Sequence, residues 1–178
     1  MPSPESDLAQ QTLKHPYIFD FLTLQPKAAE KELQRGLLDH VQQFLLELGV
    51  GFALIGRDVA VRVGDRDFFL DLLFYHVRLR CFVVIELKVI PFEPEFTGKL
   101  NFYLSAVDSK CRHPQDGPTI GLLLCKGKDR LVAESALRDL NKPISIAEWQ
   151  TRLVESLPDD LKSGLPSVQD LEREFSNQ

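Results

Sequence analysis

Apolar residues recur along this chain in two rhythms, and the places where one rhythm gives way to the other outline its elements. Residues 1–14 are polar, with scattered Pro and Ser, and predict a flexible N-terminal segment. From Pro26 to about Leu48 the period is helical. Leu33, Leu37, Leu38, Val41, Phe44, Leu45 and Leu48 share one face, and Gly49 ends the pattern. Residues 51–56 and 59–63 then read as strands, followed by a turn at Gly64-Asp65. Residues 68–76 and 81–88 predict two more strands with a tight connection between them. Residues 94–110 read as a helix, 119–125 as a buried strand, 131–140 as a helix and 144–149 as a last strand. A short helix is expected at 168–175. Strand–helix–strand–helix–strand over the second half implies right-handed crossovers. The expected fold is therefore α/β, a mixed central sheet flanked by helices. No repeat or domain linker interrupts it, so one domain is expected over 15–155, with a tail at 156–178.

Within this frame one stretch carries chemistry. Cys81 to Ile85 read as a strand buried on both faces, yet that strand ends in Glu86-Leu87-Lys88. Side chains alternate along a strand, so Glu86 and Lys88 are expected on one face and Leu87 on the other. Asp71 lies fifteen residues earlier, in the preceding strand. Two carboxylates and an amine at the rim of a sheet suit a hard divalent cation beside a phosphate. Asp71 and Glu86 would hold Mg²⁺ or Mn²⁺, with the Leu87 carbonyl as a third oxygen. Lys88 would orient or deprotonate the attacking water, or balance charge in the transition state. The competing reading of Glu86-Leu87-Lys88 alone is a plain ion pair. An Asp on the neighbouring strand weighs against it.

Asp71 followed by Glu86-x-Lys88 on consecutive strands resembles the PD-(D/E)xK nuclease superfamily. The segments HPYIFDFL, FLLELGVGFALIGR, DFFLDLLFYH, LRCFVVIELK, GKLNFYLSAVD, PTIGLLLCKGK and ALRDLNKPISIAEWQ resemble more closely the catalytic domain of YhcG-type nucleases. The likeness runs from about His15 to Gln150. It implies a restriction-endonuclease-like core and a metal-dependent endonuclease hydrolysing DNA phosphodiesters, of branched or foreign DNA. Leu70 stands where the superfamily pattern has Pro. Relatives carry a helical region before the nuclease domain that is thought to bind DNA. Here HPYIFDFL follows soon after Met1, which leaves a natural short form or a fragment as the two expectations.

The resemblance also directs attention to weaker candidates. In junction-resolvase-like members a helix-borne Glu joins the metal site, in a pattern like E-x-x-L-x-x-x-L. Glu30, Leu33 and Leu37 match it, with Glu32 as the fallback. An acid favoured by the helix dipole explains both residues equally well. Lys99 and Tyr103 lie one turn apart where relatives show Gln-x-x-x-Tyr. A phosphate contact there competes with a solvated Lys beside a core Tyr. Lys126 and Lys128, in CKGKDR, suit backbone phosphate or a solvated loop. His76 could carry protons near neutral pH, but reads better as a polar strand-end residue.

Composition narrows the function classes. No apolar run approaches the ~20 residues of a membrane-spanning helix. The start lacks a basic and apolar leader, and the three cysteines show no ligand spacing. These features predict a cytoplasmic protein with reduced thiols. The net charge is −5, but from Arg57 to Arg130 twelve Lys or Arg face ten Asp or Glu, a balance of +2, and the remainder carries −7. That is a faint electrostatic footprint for DNA, or for RNA as the alternative polymer. A homodimer, or a partner protein that supplies DNA recognition, would make up the deficit. The alternative to an enzyme is a non-catalytic nucleic-acid-binding or assembly module of a DNA-processing complex.

Overall fold

The computed structural model describes residues 13, 15–25 and 27–151. The expected helix at 168–175 and nearly all of the expected N-terminal segment lie outside them. Six strands and four helices follow in chain order: β1 (Tyr17–Ile18), α1 (Glu30–Asp39), α2 (Val41–Leu48), β2 (Phe52–Val63), β3 (Arg66–His76), β4 (Cys81–Leu87), α3 (Glu95–Lys110), β5 (Ile120–Cys125), α4 (Arg130–Leu137) and β6 (Ile144–Gln150). The strands form one sheet in the order β1-β6-β5-β4-β3-β2. β2, β3 and β4 are antiparallel neighbours, whereas β4, β5, β6 and β1 run parallel. The sheet is mixed and its halves meet at β4. None of the described helices is long and apolar enough to cross a membrane.

Helices cover both faces, which is why the central strands carry near-continuous apolar runs. All six residues of β5 are buried. On one face Leu33 and Leu37 of α1 and Phe44 and Leu48 of α2 pack with Val83, Ile85, Leu87, Leu122 and Leu124. On the other, Leu100, Tyr103, Leu104 and Val107 of α3 pack with Leu73, Val84 and Leu123. Aromatic rings fill the first layer. Phe44 stacks on Phe19 at 5.6 Å and on Phe74 at 5.8 Å between centroids.

The sheet departs from the periodicity in three places. The single helix expected over 26–48 is two, broken at His40, where φ is −117° and ψ 44°. The break lets two short helices each turn an apolar pair inward, and tertiary packing outweighs local continuity. The two strands expected over 51–56 and 59–63 are one. Arg57-Asp58 falls between the two expected strands, but the β2–β3 ladder continues on both sides of it. β1 was not expected: a two-residue strand has no legible period. It exists because Tyr17 pairs with Trp149 of β6.

His76 belongs to the far end of β3. It is buried, its Nδ1 accepts from the Leu79 amide at 3.1 Å, and Phe52 meets its ring edge-on at 4.8 Å. A Cβ on Gly51 would stand 2.5 Å from its Cε1, and Gly51 also has φ +108°. Five residues of strand, about 16 Å, separate it from Asp71. It is a structural residue of the hairpin end.

Candidate active site

Asp71 and Glu86 meet at the end of the β3–β4 ladder, which closes at Leu72–Ile85. The Asp71 amide donates to Glu86 Oε1 at 3.1 Å. The Leu87 amide donates to Asp71 Oδ2 at 2.9 Å. Each carboxylate thus accepts from the backbone beside the other. Neighbouring strands hold the segment that follows. The Lys88 amide donates to the Leu124 carbonyl at 2.8 Å, and the Lys88 carbonyl accepts from Trp149 Nε1 at 2.9 Å. The Glu86-Leu87-Lys88 backbone is therefore fixed by β3, β5 and β6 together.

Glu86 is 3% exposed. Burial, then the Asp71 carboxylate against it, pushes its pKa up to about 8. Two carboxyl groups in a dry site cannot both be charged without a compensating cation. The cation acting on Glu86 comes from α3. Burial works against the Lys99 ammonium, but Tyr103, Glu86 and Asp71 outweigh it and raise its pKa. Lys99 Nζ lies 5.6 Å from the centre of the Tyr103 ring. Burial also raises the Tyr103 phenol, with Lys99 opposing and the two acids adding, so the hydroxyl stays protonated. Lys99 and Tyr103 therefore face the carboxylate pair.

Lys88 shares the α3 side of the sheet with Glu86, but its Nζ lies over the Phe96 ring, 4.6 Å from the centre. Leu87 packs into the opposite core. Lys126 is exposed, with Nζ 5.7 Å from the centre of the Trp149 ring. Lys128 is tied to β6: its amide donates to Glu148 Oε1 at 2.9 Å and its Nζ to the Ile146 carbonyl at 3.0 Å. These two lysines follow the carboxyl end of β5, and neither bonds to Asp71 or Glu86 among the described contacts. Glu30 and Glu32 occupy the first turn of α1. Among the described residues no three His, Cys, Asp or Glu converge, so neither joins Asp71 and Glu86 there. One residue outside the expected set touches the site, and a second holds it. Gln34 Nε2 donates to the Asp71 carbonyl at 2.8 Å and to Asp58 Oδ1 at 3.2 Å.

The donor set fits a hard cation that keeps much of its water. It consists of two carboxylates, with the Leu87 backbone drawn against one of them, and no sulfur or imidazole. Mg²⁺ is typically held by one or two carboxylates plus substrate phosphate.

A mixed sheet of this order, with Asp on one strand and Glu-x-Lys on the next, defines a restriction-endonuclease-like core. Residues 10–166 match the family described as YhcG PDDEXK nuclease domain, and the chain belongs to that family. It is 35% identical over 162 residues to "Putative nuclease YhcG" of Escherichia coli (strain K12), a match covering 90% of this chain and 43% of that protein. The chain thus spans less than half the length of this relative. Among solved structures, an EndoMS–double-stranded DNA complex has a TM-score of 0.51 at 18% identity, over 74% of this chain and 48% of that one. A repair endonuclease from Pyrococcus abyssi follows at 0.46 and 15%, over 73% and 49%.

Proposed function

We propose that this nuclease-family chain is a Mg²⁺- or Mn²⁺-dependent endonuclease that hydrolyses DNA phosphodiester bonds, with branched or foreign DNA as its substrate. The observation that carries the reading is the Asp71–Glu86 pair, in which each carboxylate accepts from the backbone beside the other and buried Glu86 has its pKa pushed up to about 8, at the end of a strand that the fold clamps on three sides. Asp71, Glu86 and the Leu87 carbonyl would hold the cation. When bound, it supplies a water of lowered pKa and neutralises charge on the phosphodiester.

The remaining roles belong to the chain's own groups. Lys99 places a positive charge beside the acids, and the Tyr103 hydroxyl can donate to a phosphate oxygen. The Lys88 ammonium, resting on an aromatic face, is free of carboxylate partners among the described ion pairs. It can turn to orient the attacking water or meet the developing charge. Lys126 offers a further phosphate contact along the edge of the sheet. Lys128 would have to exchange its Ile146 bond to do the same. A homodimer or a DNA-recognising partner protein would supply the remaining affinity.

The test offers the chain supercoiled, linear, single-stranded and four-way-junction DNA with Mg²⁺, Mn²⁺ or Ca²⁺. Cleavage is expected with the first two cations. Ca²⁺ should bind without supporting it, because its looser coordination misplaces the water. Asp71→Ala, Glu86→Ala and Lys88→Ala should each remove nearly all cleavage, and a double variant should be little worse than a single one. Cleavage surviving Glu86→Ala with the same metal dependence would refute the site. DNA binding with no cleavage under any condition would instead favour an assembly module.

A further inference from the structure

Gln34 lies on the apolar face of α1, 4% exposed, beside Leu33 and within one turn of Leu37. A buried primary amide needs hydrogen-bond partners. Gln34 Nε2 has two, the Asp71 carbonyl and the Asp58 carboxylate. A carboxylate only accepts, so Asp58 dictates which end of the amide faces it. Asp58 is held in turn by an ion pair with Lys31.

The ladder explains why this contact matters. Arg57 pairs with Leu72 and Val59 with Leu70, so Asp58 and Asp71 lie across from one another, but neither is paired. Asp58 has φ +46°, a left-handed conformation that interrupts the strand. Asp71 is also beyond the last β3–β4 pair. Its amide goes to the Glu86 side chain and its carbonyl to the Gln34 side chain. Side chains therefore hold the Asp71 backbone where ladder bonds hold other strand residues. The facing of β3 inverts there: Leu70 packs into the α3-side core and Leu72 into the α1-side core.

We infer that Gln34, oriented by Asp58, is a positioning residue for Asp71. It seats the unpaired backbone so that the Asp71 carboxylate meets Glu86 and the Leu87 amide. This rests on the reading of Asp71 as a metal ligand and deepens it. Asp71 would then be presented from both faces of the sheet, by Glu86 on one side and by α1 on the other.

Two readouts on the full 178-residue chain test this without nucleic acid: Mn²⁺ binding by electron paramagnetic resonance, and hydrogen exchange at the Asp71 and Leu87 amides. Gln34→Met keeps the volume and removes the donors. Asp58→Gly removes the orienting acceptor and tolerates the left-handed backbone at this position. Leu48→Val, remote in α2, controls for a general loss of stability. Supporting partners of metal ligands are typically worth about 10–100-fold in affinity. Gln34→Met should weaken Mn²⁺ binding at least ~10-fold on that scale and speed exchange at both amides, with β5 unchanged. Asp58→Gly should act in the same direction and less strongly. Leu48→Val, at a similar loss of melting temperature, should alter neither readout. Unchanged Mn²⁺ affinity and unchanged exchange at both amides in Gln34→Met would overturn the inference. So would acceleration spread evenly over the sheet. If the wild type holds no Mn²⁺, exchange decides. Selective acceleration at Asp71 and Leu87 then keeps Gln34's role while the metal reading fails, and no local change refutes it.

Discussion

Glu86 concentrates the energetics of the site. Its carboxyl titrates near 4.5 when free and about 8 in the fold, so between those values the native state binds more protons than the unfolded chain. The stability attached to this proton is fully present below the lower value and is lost as pH rises through the upper one. Glu86→Gln is neutral throughout and escapes that loss. It should be more stable than wild type at pH 8 by on the order of a few kcal/mol, with the gap closing toward pH 4, as urea melts across pH would register. A divalent cation should stabilise the wild type increasingly as the proton leaves, and should barely stabilise the variant. A wild type whose stability does not fall between pH 5 and 8 without metal would contradict this account.

At the scale of elements, α3 delivers Lys99 and Tyr103, and its seat on β5 sets where they arrive. That seat is close. A Cβ added at Gly121 would stand 3.0 Å from Leu100 Cδ2 and Cγ and 3.1 Å from Leu104 Cδ1. Contacts so short require the Leu100 and Leu104 side chains to give by a few tenths of an ångström, and these side chains are fully buried, so the shift passes to the helix that carries them. Gly121→Ala should therefore destabilise by about 1–3 kcal/mol and also lower cleavage, because the displaced helix carries its cation and phenol away from the acids. Denaturant melts and turnover measured together would separate the two effects. A stability loss with unchanged turnover would show that α3 placement is not critical. The broken α1–α2 pair belongs to this scale too, since the break frees α1 to reach β2 and β3 through Lys31 and Gln34.

Charge acts on the whole molecule. The segment from Arg57 to Arg130 is only +2, and the rest is −7. Few phosphate contacts mean few released counterions, hence weak binding and a shallow salt slope. Duplex binding by this chain alone should be weak at physiological salt, and sedimentation should show self-association. A twofold dimer would double the contact surface and set two sites at a fixed spacing. A strict monomer binding duplex DNA at nanomolar strength in that salt would refute both halves.

The local rhythms were enough to place most elements. Strand and helix periods located the core of the sheet, because burial on one or both faces leaves a pattern any local reader can see. The alternation in Glu86-Leu87-Lys88 likewise put Glu86 and Lys88 on one side of the sheet before any contact was known. What remained hidden depends on chain segments far apart in sequence. β1 needs Trp149, 132 residues away, to exist. Arg57-Asp58 interrupts the strand period, and only the partner strand joins the two sides into one strand. Gln34 looks like an ordinary polar residue of an amphipathic helix until α1 lies against β2 and β3, 24 and 37 residues away. Local sequence carries burial periodicity and residue chemistry. Which groups share a dry space, and therefore hold a proton as Glu86 does or a backbone as Gln34 does, is decided only when the sheet and its helices close.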